Sequence, residues 1–348
     1  MMLDLQKQFE EFNETIKLDY DKNTELAEKR DKLIKKLRAN SDLPSFTTIN
    51  QGSYSMKTGV EPVGDKDYDI DVGLKFNVNK DEYEPLKLKE MICDTLKNHT
   101  HYGSEIKQPC VTVTYKKNGE KGFHVDLVTY SYEDKTDKNS QLYLARGKKY
   151  SCDDNKVWEE ADPMGLKNAI IDKFEDEDRE QYRRIIRYLK RWKNLKMSSD
   201  GNIEPPGIGI TLLAYEKFQP KYEEDAVSLS RTYNDLEALI CLLQEVINMF
   251  KFKTIKDNRN LYRIELKLPV TPKTDVFTKM TDIQMTDFKD KIKGLLDDLE
   301  IVKNEVEIIE QCKMLKSIFG EDFKVPEKED TAKKQDYMFA PNSSSGRI

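Results

Sequence analysis

Asp69-Ile70-Asp71-Val72-Gly73-Leu74-Lys75-Phe76 alternates without a break: the even positions are apolar and the odd ones are Asp, Asp, Gly and Lys. Side chains of a β-strand point to opposite faces with period two. The octet therefore predicts a strand that buries Ile70, Val72, Leu74 and Phe76 on one face and presents Asp69 and Asp71 on the other. Phe123-His-Val-Asp-Leu-Val-Thr-Tyr130 repeats the arrangement, with Val125 and Leu127 on one face and Asp126 pointing away from it. If the two strands pair, three carboxylates meet at one spot.

Three uncompensated carboxylates at one spot repel one another, and a hard cation removes the conflict. Mg²⁺ prefers carboxylate, water and phosphate oxygens. Two such ions about 3.5–4 Å apart can hold the attacking and leaving oxygens of an in-line phosphoryl displacement. Alone, Asp-x-Asp is common in an acidic chain and usually marks a solvated strand end. Here it follows Gln51-Gly52-Ser53-Tyr54, which lies between the β-like run Phe46–Asn50 and a stretch, Tyr54–Gly59, able to form one helical turn. Glycine lets the backbone approach an anion closely, and Ser53 adds a hydroxyl at a helix N-terminus, where free N–H groups favour phosphate. Serine is also an ordinary N-cap residue, and both roles can hold at once. The three segments together predict a site for two Mg²⁺ ions, or Mn²⁺ in their place, and a nucleoside triphosphate. Asp69, Asp71 and Asp126 are its catalytic metal ligands, Gln51, Gly52 and Ser53 hold the nucleotide, and Tyr54 could stack on a base.

A Gly-Ser turn, an Asp-x-Asp and a later strand Asp resemble the nucleotidyltransferase superfamily that includes DNA polymerase beta, poly(A) polymerase and oligoadenylate synthetase. Arg187-Tyr-Leu-Lys-Arg-Trp192 and Pro205-Pro-Gly-Ile-Gly-Ile-Thr-Leu-Leu213 are similar to the helix-loop-helix of oligoadenylate synthetases and of the bacterial cGAS/DncV-like nucleotidyltransferases (CD-NTases). Trp158–Pro163, with an Asp-Pro that opens a helix, and a helix ending at Phe319-Gly320 fit the bacterial group. The resemblance runs from about residue 46 to 215, and it is to the second-messenger synthases of anti-phage (CBASS) systems.

The resemblance implies an α+β fold, with a polymerase-beta-like nucleotidyltransferase lobe built on a mixed sheet and a helical C-terminal lobe. It implies that Asp69, Asp71 and Asp126 bind metal, Asp126 nearest the attacking hydroxyl, that Gln51–Ser53 form the triphosphate loop, and that Lys190 contacts donor phosphate. It further implies a cytoplasmic enzyme that closes ribonucleoside triphosphates into a cyclic di- or trinucleotide and reaches a downstream effector only through that product. One position departs from the pattern. Gly209 stands where several relatives have a serine that touches nucleotide, so a hydroxyl contact there is either missing or replaced by Thr211. On a helical wheel Ile185, Leu189 and Trp192 form an apolar stripe, and Arg183, Arg187, Lys190 and Asn194 lie opposite. Such a basic face is usually solvated, and Arg183 and Arg187 are read as solvated or as screening phosphate charge; Lys190 takes a function through the resemblance alone.

At 348 residues the chain allows one or two packed lobes. A net charge of −6 argues against a dedicated duplex-binding protein, so a nucleic-acid activator is not expected. No apolar stretch reaches membrane-spanning length, and Met1–Lys7 is no signal segment. Cys93, Cys110, Cys152, Cys241 and Cys312 are scattered and odd in number, as in a reduced chain. Periodicity divides the sequence into four parts. Residues 1–45 hold two helices, 3–18 and 24–38, that pack on the helical lobe. Residues 46–160 are the catalytic core, with strands over 46–132, a helix near 85–98, Asn118-Gly119 as a hairpin turn and a polar loop over 133–157. Residues 161–326 are the helical lobe, with helices 163–175, 179–196, 207–219, 232–250, 284–298 and 302–319 and an extended segment 261–268. The nucleotide cleft lies between the two lobes. The tail, 327–348, is too polar to fold alone and is a segment that a protein partner could grip.

Overall fold

The computed structural model describes residues 2–18, 24–64, 68–117, 120–197, 204–228 and 230–327; the side chains of 2–4, 24–26, 68–69, 116–117 and 120–121 are outside that description. Helices α1 (Met2–Ile16) and α2 (Thr24–Arg38) come first, followed by β1 (Phe46–Gln51), the four-residue α3 (Gly52–Ser55) and β2 (Tyr68–Asn79). Next are α4 (Pro85–Leu96), β3 (Ser104–Ile106), β4 (Val111–Lys117), β5 (Glu120–Tyr132), β6 (Leu142–Ala145) and β7 (Trp158–Ala161). These strands form one mixed sheet in the order β1-β2-β5-β4-β3, with β6 continuing from β5 and β7 from β6. At its centre β2 and β5 run parallel; the other pairs are antiparallel. A parallel pair needs a long crossover, and α4 with β3 and β4 supplies it.

The alternation in β2 does what its sequence predicts. Ile70, Val72, Leu74 and Phe76 are buried together with Val125 and Leu127, against Leu88, Ile92 and Leu96 of α4 and Leu33 and Leu37 of α2. The placement of α2 corrects the expectation that both N-terminal helices pack on the helical lobe: α2 covers the sheet. Its neighbour α1 joins the second core, where Phe9, Phe12 and Ile16 meet Tyr188, Leu189, Phe319 and Phe323.

That second core is helical. Asp162 caps α5 (Pro163–Ile171) by accepting from the Gly165 amide at 2.7 Å, with Pro163 in the first turn. Then come α6 (Asp176–Lys196), α7 (Gly207–Lys217), a hairpin of β8 (Tyr222–Glu224) and β9 (Arg231–Tyr233), α8 (Asp235–Asn248), a hairpin of β10 (Lys251–Lys256) and β11 (Arg259–Arg263), α9 (Asp282–Asn304) and α10 (Ile308–Phe319). Several boundaries differ from expectation. Asn234 caps α8 by accepting from the Glu237 amide, so 232–233 belong to a strand. Buried Leu295, Leu299 and Val302 keep the apolar stripe going, and α9 runs unbroken where a gap at 299–301 was expected. The extended segment at 261–268 is partly one arm of a hairpin, and the polar stretch 133–157 contains β6. Asn118-Gly119 lies outside the described residues. Among the described residues no helix is long and apolar enough to cross a membrane, and no cysteine is in a disulfide.

Candidate active site

Strand register lines up the polar residues. Gln51 of β1 pairs with Asp71 of β2, Asp71 with Asp126 of β5, and Asp126 with Thr112 of β4. This straight row crosses four strands. One step along the strands, Asp69 pairs with His124 and His124 with Thr114. Adjacent strands lie about 4.8 Å apart, so Asp71 and Asp126 are immediate neighbours, and both are half-buried. Asp69 follows the same backbone register, but its side chain is outside the described set.

The row is held from both ends. Thr112 Oγ1 donates to Asp126 Oδ1 at 2.5 Å, and His124 Nδ1 and Thr114 Oγ1 lie 3.0 Å apart on the neighbouring rung. Cys110 Sγ lies 3.6 Å from Thr112 Oγ1. Burial pushes the Cys110 thiol up to about 12, with help from the negative charge of Asp126, so it keeps its proton at neutral pH. At the other end the Tyr130 hydroxyl donates to Gln51 Oε1 at 3.0 Å. Burial, above all, makes Tyr130 hold its proton more tightly than a solvated tyrosine.

Directly beside Asp71 the chain makes the tight turn α3. Gly52 has φ +67°, and a Cβ added there would lie 1.9 Å from Asp71 Oδ2. Both the left-handed backbone and the contact require glycine. The helical turn covers Gly52–Ser55, with Gln51 as N-cap and no side-chain cap bond. Ser53 is therefore the second residue of the turn rather than its cap, a correction to the expected turn at 54–59. The leading N–H groups of any helix lack partners inside it; this turn opens with Gly52 and Ser53. Tyr54 is tied to Arg30 of α2: burial would pull the Arg30 guanidinium down, and bonds to Asp31 and Tyr54 outweigh it and raise it.

Behind this turn stands the basic face of α6, and it is buried. Arg183, Arg187, Lys190, Arg191 and Lys193 are each less than a tenth exposed, which corrects the solvated reading. Three of them bond carbonyls of the segment after α3. Arg187 Nη2 donates to Lys57 O at 2.7 Å, Lys190 Nζ to Thr58 O at 3.1 Å and to Thr58 Oγ1 at 3.0 Å, and Arg191 Nη1 to Glu61 O at 3.3 Å. Arg187 also donates to Asn13 Oδ1 of α1, and Arg191 to Asp322. Burial, with the charges of Lys193 and Arg187, lowers Lys190 to about 7, while Asp71 pulls it back upward.

Thr211 does not offer the hydroxyl expected of it. It is buried in α7, and its Oγ1 donates to Gly207 O at 3.2 Å. Gly209 has a packing reason for its missing side chain: a Cβ there would lie 2.5 Å from Phe277 Cε1. The sequence reading missed Thr112, Tyr130 and the carbonyl clamp. The alternation in Val111-Thr-Val-Thr-Tyr115 carried a signal for Thr112, because it places Thr112 and Thr114 on one face of β4.

The Asp71 and Asp126 carboxylates, side by side in register, are oxygen donors, the type that suits a hard divalent cation. Among the described residues no group of three His, Cys, Asp or Glu side chains stands together as a metal cage; the Asp69 carboxylate is not among them. Two cavities, of about 750 and 370 Å³, lie along α1 and the start of α6, at Glu10, Glu180 and Arg184, and neither touches the aspartate row.

Residues 45–130, which hold the whole row and the turn, match the nucleotidyltransferase domain of the DncV-like cyclic GMP-AMP synthases. The match spans about a quarter of the chain. It is 28% identical over 180 residues to a cyclic GMP-AMP synthase of Escherichia albertii, covering 50% of this chain and 38% of that protein, well under half its length. It is 24% identical over 290 residues to a c-di-GMP synthase of Roseivirga ehrenbergii, covering 78% of this chain and 72% of the relative. The likeness in three dimensions is broader. The CD-NTase CdnG of Bradyrhizobium diazoefficiens, solved with GTP, superposes with a TM-score of 0.68 over 92% of this chain and 96% of its own, at 13% identity. Residues 45–130 and the helices that follow thus share the α+β fold of that structure.

Proposed function

We propose that this protein is a nucleotidyltransferase that joins ribonucleoside triphosphates into a cyclic di- or trinucleotide. The observation that carries the reading is the row Gln51-Asp71-Asp126-Thr112 with α3 pressed against Asp71. It brings a candidate triphosphate turn and a pair of carboxylates within contact distance. Asp69, Asp71 and Asp126 would hold two Mg²⁺ ions, which supply countercharge to the triphosphate and acidify an acceptor hydroxyl.

The chain's own groups do the rest. The leading N–H groups of α3 and the Ser53 hydroxyl bind the β- and γ-phosphates of the donor. Lys190, behind the same turn, adds positive charge. Asp126 lies nearest the acceptor ribose hydroxyl and helps its deprotonation, the proton passing to water. The ribose oxygen then bonds to the donor α-phosphorus as the bond to the bridging oxygen breaks, and pyrophosphate leaves in line. A second transfer joins the free hydroxyl of the linear intermediate to its own triphosphate end. Positioning and charge stabilisation supply most of the rate. Both relatives are named for products that contain GMP, which favours GTP as one substrate. A role in anti-phage defence rests on the resemblance to the CD-NTases.

The test is to incubate the purified protein with ATP, GTP, CTP, UTP and Mg²⁺, without nucleic acid, then treat the products with phosphatase and weigh them. Pyrophosphate release and a phosphatase-resistant product without terminal phosphate are expected. A ladder of phosphatase-sensitive species, or turnover only with duplex RNA, overturns the cyclic reading in favour of a linear synthase.

A further inference from the structure

We propose that Thr112 is a positioning residue that commits one oxygen of Asp126 to the protein and so makes Asp126 a one-oxygen ligand, which favours small octahedral cations over Ca²⁺. This rests on the assignment of Asp126 as a cation ligand made above.

Thr112 faces Asp126 directly across the β4–β5 pair, and its hydroxyl donates to Oδ1 at 2.5 Å. That length falls in the range of charge-assisted O–H···O⁻ bonds. An ionised carboxylate only accepts, so the direction of donation is fixed. Thr112 is 2% exposed, and a β-branched side chain is stiff at χ1, so the hydroxyl stays directed at Asp126. With its one proton given to Asp126, Thr112 can only accept from the buried Cys110 thiol 3.6 Å away. The result is a directed chain, Cys110 to Thr112 to Asp126, that ends on Oδ1.

A carboxylate anchored in this way offers Oδ2 to the site in a fixed plane. Mg²⁺ demands near-ideal octahedral geometry and takes few carboxylates, whereas Ca²⁺ accepts both oxygens of one carboxylate. Two-oxygen chelation would draw Asp126 off Thr112. The bond therefore penalises the Ca²⁺ mode and leaves the Mg²⁺ mode untouched.

The experiment measures Mn²⁺ binding to the protein alone by the electron paramagnetic resonance of free Mn²⁺, with Ca²⁺ as competitor. The variants are Thr112→Val, Thr112→Ser and Asp126→Asn. Partners that orient a metal ligand are worth about 10–100-fold in metal affinity, so Thr112→Val is expected to bind Mn²⁺ about tenfold or more weakly, with Ser close to wild type. The preference for Mn²⁺ over Ca²⁺ falls in Thr112→Val and stays in Thr112→Ser. A general loosening of the sheet would weaken both ions alike and leave the ratio unchanged, which overturns the proposal. If Asp126→Asn binds Mn²⁺ as the wild type does, the cation assignment itself fails. If Asp126→Asn loses binding and Thr112→Val does not, the positioning role alone fails. Valine is nearly isosteric with threonine, and melting curves check the fold; should it not fold, Thr112→Ala carries the same expected loss.

Discussion

Gly52→Ala separates contact from backbone strain, because Gly64 provides a matched control. Both glycines have left-handed φ, +67° and +58°, but a Cβ at Gly64 would meet nothing within 4 Å, whereas at Gly52 it would lie 1.9 Å from Asp71 Oδ2. The left-handed conformation costs an alanine roughly 1–2 kcal/mol at either site. Only at Gly52 must something also move. Ordinary van der Waals contact begins at 3.4 Å, so Asp71 or the turn must withdraw by about 1.5 Å, and misplacement of about 1 Å in a reacting constellation can cost 10²-fold. Urea denaturation should therefore show similar, modest losses for Gly52→Ala and Gly64→Ala. Initial rates of pyrophosphate release should fall about 100-fold for Gly52→Ala relative to Gly64→Ala. Equal rates in the two variants would refute the idea that the turn and Asp71 work as one unit.

Three further outcomes follow from the same geometry. Asp71→Asn should abolish pyrophosphate release and raise the metal-free melting temperature, since it removes one of two like charges abreast on paired strands; calorimetry without and with Mg²⁺ checks both. Lys190 sits at about 7 in the folded chain against an ordinary 10.5, so the unfolded chain binds more protons between those values and stability rises with pH across that window. Lys190→Met should flatten that rise between about pH 7 and 9 in urea titrations without abolishing it, because buried Lys89, at about 8, titrates in the same sense. Arg184 holds the fully buried Asp235 through Nε and Nη2, at 2.7 and 2.9 Å. Arg184→Met strands that carboxylate and should destabilise the fold by about 3 kcal/mol, the low end for a broken buried pair, because Gln181 and Tyr188 still donate to Asp235.

Period-two alternation made β2 and β5 readable, and with them the pairing of Asp71 and Asp126, because a one-residue slip would bury the carboxylates and expose Val72 and Leu127. The Asp162-Pro163 start of α5 was legible for a local reason: cap and proline act within one turn. Features that depend on a distant partner were not legible. A helical wheel shows that Arg187 and Lys190 share a face, but not that the loop at 57–61 would cover that face with carbonyls. Thr211 looked available until its own helix claimed its hydroxyl, and Gly209 looked like a lost contact until Phe277 filled the space. The four-residue strand β6 was too short for alternation to mark, and α2 packs on the sheet because Leu33 and Leu37 find Leu88 and Ile92, which nothing within α2 specifies.

The α6 seam links the helical part of the chain to the candidate phosphate turn. Burial lowers the pKa of Arg187, Lys190 and Arg191 alike, the signature of cations held where charge is unwelcome. Among the described residues, Arg191 alone of the three has a carboxylate, Asp322, within ion-pair distance. Carbonyl dipoles compensate the other two only in part. Both cations bond the backbone just after the turn that lies against Asp71. A triphosphate bound there would supply the missing countercharge, so an arrangement that costs stability when empty becomes favourable when filled. The same bonds carry force as well as field. Each grips the backbone of residues 57–61, so any shift of α6 along its axis drags the turn with it.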